Sequence, residues 1–436
     1  MLPGVSLPIS LRRLLDVFAG CFTTPTFAVF QAMVVGLVAQ TGQRTVCGIL
    51  TGAGLATSWS HHRAHRFFST ARWSVDQIGL IVFDLVLTYL VSDGADLLVA
   101  VDDTAHRRRG KKVHGAGWIH DGSAPARNKL AFGHRWVVVG IIVQVPFLSR
   151  PICLPVLCRR WQGKGTASTV ELAAQMITII AARVPARRVH VVADAAYHGG
   201  CLRELPATVS WTTRLPRNAV LYQRAPAPTG RRGRPRTKGD RIGTPAQAAA
   251  TAAVWRTVSV ARYGRADTVN IATLDCLWYG VFGPQHVRMV LVRDRPDAPM
   301  LALITTDPSV TAADLVARYA ARWAIEVTFF DTRQILGVGQ ARNRTAQAVT
   351  RTWAFGMYVY TIVVIWYAIS GHRSQIVADR RIHAPWYLSK TDPSFADMLT
   401  ALRRTLIAAR FMGSRPAQPT NAEIRQVQRA WALAAA

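Results

Sequence analysis

Apolar residues recur at helical spacing through the first 92 residues of the chain. Positions three or four residues apart lie on one face of a helix, so this pattern predicts helices. Residues 58–68 mix basic and aromatic side chains, a composition that fits either a polar helix face or a DNA contact. We therefore interpret residues 1–92 as a helical N-terminal region that binds DNA. Its predicted helices span residues 9–22, 26–38, 44–50 and 75–92.

Continuous apolar runs replace this spacing after residue 92, and such runs are typical of strands buried on both faces. Residues 96–104 and 188–194 form two of them, and both contain carboxylates near their ends. The first carries Asp102 and Asp103, and the second ends on Asp194. Between them the pattern predicts two antiparallel strands and a helix, at residues 135–145, 150–157 and 169–184.

A carboxylate at the end of a buried strand is costly unless it is paired or binds a metal ion. The alternative for Asp102 and Asp103 is a turn or a local cap, which needs no function. If the two acidic strands are neighbours in one sheet, Asp103 and Asp194 can share a cation.

A further helix is predicted from the residues around Glu326, with a cap at residues 311–314. At 3.6 residues per turn, Tyr319, Arg322, Glu326 and Arg333 fall within an arc of roughly 60°. The simplest interpretation is a surface ion pair between Arg322 and Glu326, worth a few tenths of a kcal/mol. A functional interpretation needs more carboxylates that meet Glu326 in the folded chain.

Short strand-like runs in residues 205–295 predict a β-rich insertion, interrupted by a basic loop at residues 224–241. The loop is rich in Pro and Gly and is unsuited to a packed core. Residues 230–236 resemble an AT-hook, which lies extended in a narrow minor groove. The other interpretation is an unspecific basic tether that is held by phosphate attraction. Both assign DNA contacts to the four arginines of this stretch, Arg231, Arg232, Arg234 and Arg236.

The stretch at residues 353–369 is apolar enough to raise the question of a membrane span. It is slightly shorter than the roughly 20 residues that cross a bilayer, and its aromatic residues are spread throughout, so we expect a buried core helix. Two amphipathic helices are predicted to finish the chain. The predicted regions are residues 1–92, 93–204, 205–295, 296–370 and 371–436, of which the second and fourth together form the catalytic core and the last is helical.

The chain is strongly basic. The 436 residues include 53 Lys and Arg against 24 Asp and Glu, a formal net charge of +29. This excess favours a polyanionic partner, with nucleic acid first and an anionic membrane surface second. The six cysteines form no CxxC pair, which indicates reduced residues of a cytosolic protein and argues against a zinc site.

Three convergent carboxylates can hold two Mg²⁺ ions roughly 3.5–4 Å apart, the arrangement that catalyses in-line phosphoryl transfer. Asp103 (with Asp102 beside it), Asp194 and Glu326 are the candidates. Their oxygen ligands favour Mg²⁺ or Mn²⁺.

These motifs resemble the DDE transposases of bacterial insertion sequences, in the cut-and-paste branch with an RNase H-like core. Val-Asp-Asp-Thr104, Val-Val-Ala-Asp194 with Tyr197, and Tyr319-x2-Arg322-x3-Glu326-x6-Arg333 carry the resemblance. The last differs from that branch's Y-x2-R-x3-E-x6-K signature only in having Arg333 in place of Lys. The resemblance covers about residues 95–370.

The resemblance implies an α/β fold: an RNase H-like mixed sheet with a β-rich insertion, flanked by N-terminal and C-terminal helical regions. It implies that Asp103, Asp194 and Glu326 bind the metal ions, and Asp103 is preferred to Asp102 because the family's aspartate commonly precedes Thr. Tyr319, Arg322 and Arg333 would contact phosphates near the cleaved end.

We therefore expect a transposase that cleaves the ends of its element and joins them to target DNA, using two Mg²⁺ ions, or Mn²⁺. We expect double-stranded DNA as its partner, a homodimer in the DNA complex, no membrane association, and a place in the cytoplasm at the bacterial nucleoid. The alternatives are a decayed or domesticated protein that only binds DNA, and a structure-specific nuclease of the same fold.

Overall fold

The computed structural model describes residues 4–122, 129–227, 235–251, 254–295, 300–384, 386, 389–412 and 421–434. The N-terminal region is helical, as predicted, and a short 3₁₀ turn follows its first helix. The Ser74 hydroxyl caps the last of these helices by accepting a hydrogen bond from the backbone N–H of Gln77. The basic and aromatic stretch forms a helix of its own. The helices are α1 (Ile9–Asp16), α2 (Thr24–Ala39), α3 (Val46–Gly52), α4 (His61–Ser69) and α5 (Val75–Leu90).

Aromatic rings join this region to the rest of the protein. The Phe67 and Trp73 rings stack at 5.1 Å, and Phe30 and Phe67 each make an edge contact with Phe355. Phe355 belongs to the apolar stretch that is the longest helix of the chain. The N-terminal helices are therefore packed on the core.

One mixed sheet of ten strands forms the centre of the fold. The main path runs β2-β3-β1-β5-β6-β12-β11-β10-β9, and β4 pairs with β3. The pairs β1–β5 and β5–β6 are parallel, whereas β3 is antiparallel to both β1 and β4. This topology confirms the predicted RNase H-like α/β fold. The strands of this half are β1 (Leu97–Arg107), β2 (Gly117–His120), β3 (Leu130–Val143), β4 (Ile152–Arg160), β5 (Val189–Ala193) and β6 (Val209–Arg214).

The remaining strands extend the same sheet. β12 pairs with β6, and β11, β10 and β9 follow in antiparallel order. Residues 209–214, where sequence patterns predicted the start of the insertion, thus pair in parallel with the core strand β5. A separate two-stranded ribbon and two short helices also lie here. The elements are β7 (Leu221–Tyr222), β8 (Arg241–Gly243), α7 (Pro245–Thr251), β9 (Arg256–Arg262), β10 (Arg265–Cys276), α8 (Tyr279–Phe282), β11 (Val287–Arg293) and β12 (Leu301–Thr305).

The basic loop is described only at its ends. Arg231, Arg232 and Arg234 lie outside the described residues, so their predicted DNA contacts stay a prediction. Arg236 forms an exposed ion pair with Asp240 at 3.0 Å.

The helices that cover the sheet include the expected core helix. Between β4 and β5 lies α6 (Thr169–Arg183), which begins with a reciprocal capping box between Ser168 and Glu171. The chain ends with α11 (Ala346–Trp366), α12 (Gln375–His383), α13 (Phe395–Met412) and α14 (Asn421–Ala434), after two helices described below.

α11 and the π-helical turn after it form the one described helix long and apolar enough to cross a membrane. However, 83% of its most apolar window is buried inside the protein, as in the core helix of a soluble protein. The rings of Trp353 and Trp136 stack at 4.5 Å and join this helix to β3. The burial agrees with the interpretation of a core helix.

The helix predicted around Glu326 is present but is not continuous. α9 (Ala312–Ala321) begins at Thr311, whose hydroxyl accepts a hydrogen bond from the N–H of Asp314, as the sequence predicted. The chain turns at Arg322 and continues as α10 (Trp323–Phe330) and then as a π-helical turn, Asp331–Ile335. Arg322 keeps helical backbone angles, φ −52° and ψ −33°, and its pair with Glu326 is the one that helical spacing predicts.

Candidate active site

Two acidic strands lie side by side in the sheet, and β1 continues past Asp102 and Asp103 to Arg107 instead of ending on them, as the sequence had predicted. β1 and β5 are parallel neighbours, and Val101 lies level with Ala193. The next residues in register are Asp102 and Asp194. Side chains alternate along a strand, so Asp102 and Asp103 point to opposite faces of the sheet.

Asp102 faces the helix that carries Glu326. Its Oδ2 accepts a hydrogen bond from Nη1 of Arg322 at 2.9 Å, and its Oδ1 accepts one from the backbone N–H of Asp103 at 2.8 Å. Burial raises the pKa of Asp102 to about 7, although the Arg322 guanidinium acts in the opposite direction, and Asp194 and Asp103 raise it further. This carboxylate is therefore costly to ionise without a nearby positive charge.

Asp103 has different neighbours. The Tyr197 hydroxyl donates a hydrogen bond to its Oδ1 at 3.2 Å, and Nε of Arg135 forms an ion pair with its Oδ2 at 3.4 Å. Burial raises the pKa of Asp103, and Arg135 opposes that effect. Arg135 lies level with Ala105 across the β1–β3 pair, which places it on the same face as Asp103.

Asp194 begins the turn after β5. Its Oδ1 accepts a hydrogen bond from the N–H of Ala196 at 2.9 Å, and the Thr213 hydroxyl donates to its backbone carbonyl. Its negative charge raises the pKa of both Asp102 and Asp103. Asp194 is therefore near enough to both aspartates to interact with them electrostatically.

Glu326 is joined to this end of the sheet through Arg322. Nη2 of Arg322 donates to Oε1 of Glu326 at 2.8 Å, while Nη1 reaches Asp102. The pair that sequence analysis interpreted as a helix-surface contact is largely buried on its arginine side, where the side chain is 13% exposed. One guanidinium thus bridges a carboxylate on α10 and a carboxylate on β1.

The other two members of the signature lie beside these groups. The Arg322 guanidinium carbon is 5.8 Å from the centre of the Tyr319 ring. Burial raises the pKa of Tyr319. Arg333, in the π-helical turn, donates through Nε to the carbonyl of Phe329 at 3.1 Å and through Nη1 to the carbonyl of Ala105 at 3.5 Å.

The donor atoms suit a hard divalent cation. Asp102, Asp194 and Glu326 offer carboxylate oxygens, and Mg²⁺ and Mn²⁺ prefer oxygen ligands. In the arrangement described, however, no three His, Cys, Asp or Glu side chains of the described residues form a group that could hold a metal ion. Asp102 and Glu326 both bind the Arg322 guanidinium. Their carboxylate oxygens suit the metal chemically, and the same oxygens accept the hydrogen bonds of that guanidinium.

Sequence reasoning missed one neighbour of the site, Arg135, and one titratable group outside it, Asp331. Arg135 begins a predicted strand, and only the pairing of β3 with β1 brings it to Asp103. Asp331 follows α10, and burial raises its pKa to about 7. A carboxylate within an otherwise aromatic stretch was the only signal for Asp331, and nothing local distinguished Arg135 from other basic residues of this chain.

Comparison with protein families identifies one match. The model of the DDE superfamily endonuclease matches residues 17–272, more than half of the 436 residues. The matched range contains Asp102, Asp103 and Asp194 and ends before Glu326. No curated protein matches the chain significantly.

Proposed function

Since the chain belongs to the DDE superfamily of endonucleases, we propose that it is a DNA transposase that cleaves the ends of its own element and joins them to target DNA. Endonuclease domains of this family generally use divalent metal ions. The proposal assigns Asp102, Asp194 and Glu326 as the ligands of two Mg²⁺ ions, with Mn²⁺ as a substitute.

The observation that carries the proposal is the Arg322 bridge. Arg322 binds Asp102, which lies 220 positions earlier in the sequence, at 2.9 Å and Glu326 at 2.8 Å. Asp194 directly follows Ala193, which is level with Val101, the residue before Asp102, in the parallel register of β1 and β5. The expected acidic residues of strand and helix thus lie around one guanidinium.

This geometry supports Asp102, the alternative that the sequence left open, over Asp103 as the metal ligand. Asp103 is held by Tyr197 and Arg135 on the other face of β1. We assign Asp103 a positioning role, because its contacts hold the end of β1 and its charge acts on Asp102.

When bound, two divalent ions would activate the attacking water or 3′-hydroxyl and stabilise the leaving oxygen of the phosphodiester. The protein's own groups then have distinct tasks. The three carboxylates hold the ions. Tyr319, Arg322 and Arg333 are assigned to backbone phosphates near the cleaved end, where guanidinium groups can form paired hydrogen bonds.

The net charge of +29 supports double-stranded DNA as the partner. The N-terminal helices, the basic loop that includes Arg231, Arg232, Arg234 and Arg236, and the C-terminal helices are assigned to DNA or to a second protomer. Two DNA ends must be held together for transposition, so we propose a homodimer in the DNA complex. The site of action is then the bacterial nucleoid.

The test is cleavage of a labelled duplex carrying the ends of the element, in Mg²⁺, by wild-type protein and three variants. We expect wild-type cutting to fall at least about a hundredfold in Glu326→Ala and Asp102→Asn, because each removes a metal ligand. Asp103→Asn should retain more activity than Asp102→Asn.

The outcomes separate the competing functions. Equal cutting by wild type and Glu326→Ala would refute the assigned site. A larger loss in Asp103→Asn would return the ligand role to that residue. DNA binding without cutting by any protein would favour a decayed DNA-binding protein, and cutting without joined products would favour a nuclease that does not transfer strands.

A further inference from the structure

The Arg322 guanidinium occupies the space between two carboxylates that the proposed function assigns to metal ions. Its Nη1 is 2.9 Å from Oδ2 of Asp102, and its Nη2 is 2.8 Å from Oε1 of Glu326. Among the described residues, its buried Nε has no hydrogen-bond partner. The two acidic side chains therefore bind its terminal nitrogens, and the Tyr319 ring lies beside it, 5.8 Å from the guanidinium carbon.

The position follows from the backbone. Arg322 is the residue at which α9 ends and α10 begins, and Glu326 lies one helical turn further along. Residues four apart on a helix face the same direction, so both side chains point toward β1. Asp102 completes the bridge because it is on the face of β1 against which α10 packs.

A guanidinium and a metal ion at these oxygens are alternatives. Mg²⁺ approaches a carboxylate oxygen to about 2.1 Å and needs the lone pairs that accept the arginine hydrogen bonds. The two cations would also repel each other at close range, and this repulsion is weakly screened where side chains are largely buried.

We propose that Arg322 is an internal counterion of the metal-free protein, which must release Asp102 and Glu326 before a divalent ion binds them. This inference rests on the proposed function, since it takes both carboxylates as metal ligands. It assigns Arg322 two successive partners, first these carboxylates and then a DNA phosphate. A phosphate offers the guanidinium the paired oxygens that it loses at the carboxylates. DNA binding would thus favour metal binding, and the coupling has to be reciprocal.

A purely structural ion pair makes the opposite prediction. If Arg322 served only to hold α10 against β1, its replacement would disturb the carboxylates and weaken metal binding. If Arg322 competes with the metal, its replacement strengthens metal binding in the absence of DNA.

The experiment measures Mn²⁺ binding to the full-length, DNA-free protein by electron paramagnetic resonance, which requires no catalysis. Arg322→Gln removes the charge, whereas Arg322→Lys keeps the charge but cannot bridge both carboxylates with one planar group. We expect at least about tenfold tighter Mn²⁺ binding in Arg322→Gln and an intermediate affinity in Arg322→Lys. Arg288→Gln is the matched control, because Arg288 also pairs with a carboxylate, Asp275, far along the sheet.

Two further variants identify the site that is being measured. Asp102→Asn and Glu326→Gln, each combined with Arg322→Gln, should abolish the tighter binding. Equal or weaker binding by both Arg322 variants, with Mn²⁺ still lost in Asp102→Asn, would overturn the counterion role and leave the metal site intact. Absence of Mn²⁺ binding in every protein would overturn the metal site and the proposed function with it.

Thermal unfolding provides a second readout. In EDTA, Arg322→Gln should unfold at a lower temperature than wild type, because Asp102 and Glu326 lose their counterion. Mn²⁺ should raise that temperature more in the variant than in wild type. An equal rise in both proteins would contradict the proposal.

Discussion

Asp331 is a partly buried carboxylate with no stabilising partner. It begins the π-helical turn after α10 and borders a cavity of about 900 Å³ together with Trp323, Val327 and Tyr360. Among the described residues, no hydrogen bond or ion pair reaches its carboxylate. Burial alone raises the pKa of Asp331 from 3.8 to about 7. The folded protein should therefore become less stable as this group ionises.

The difference between the pKa of Asp331 in the folded and in the unfolded protein sets how the free energy of unfolding changes with pH. Below pH 3.8 the carboxyl group is neutral in both states and costs nothing. Between pH 3.8 and 7 the unfolded chain ionises while the folded chain keeps its proton, so the free energy of unfolding falls as the pH rises. Above pH 7 the full cost is present, and a difference of about three pKa units corresponds to about 4 kcal/mol. Since Asp331 is partly exposed, we expect about 2–4 kcal/mol.

The perturbation is Asp331→Asn, and the assay is urea unfolding at pH 5 and pH 8. The variant should be more stable than wild type at pH 8, and its advantage should shrink by about 2 kcal/mol at pH 5. Asp240→Asn is the control, because the Asp240 side chain is 78% exposed and pairs with the exposed Arg236. The same difference between Asp331→Asn and wild type at both pH values would refute the reasoning, since it would mean that Asp331 titrates alike in the folded and unfolded protein.

Two further predictions concern packing and thiol access. Gly79→Ala would place its Cβ 2.2 Å from the carbonyl oxygen of Val156, so α5 has to move away from β4. We expect thermal denaturation to show that the free energy of unfolding falls by more than about 2 kcal/mol. Gly20→Ala, whose Cβ would have nothing within 4 Å, should lose almost none. Cys47 is exposed, whereas Cys153 is buried and burial raises its pKa. Native protein should therefore react rapidly with maleimide at Cys47. A rapid reaction that persists in Cys47→Ser would contradict that assignment.

The predictions that succeeded from sequence were local ones. Apolar periodicity placed most helices and strands within a few residues, because burial of one helix face or of a whole strand leaves its period in the sequence. The Thr311 cap was also visible, since it needs only neighbouring residues. The family resemblance rested on acids in a particular order, and the DDE endonuclease match over residues 17–272 agrees with the family.

Sequence-based prediction failed, or left a choice open, where residues that are far apart along the chain come into contact. No local pattern records such contacts. Regular spacing predicted the pair of Arg322 and Glu326, but not the second carboxylate, Asp102, which lies 220 positions away in the sequence. The arginine that neutralises Asp103 comes from β3 and depends on strand register.

Asp102 and Asp103 show most clearly which features follow from the sequence and which depend on the fold. Sequence alone determined that two adjacent acids lie in a largely buried strand and that alternation sends them to opposite faces, although the strand continues past them to Arg107. It could not determine which face would receive the helix that carries Glu326, because that depends on the path of more than 200 intervening residues. Only the tertiary structure brings Arg322 and α10 to the Asp102 side, since the packing of α10 against β1 and β4 decides which carboxylate it meets.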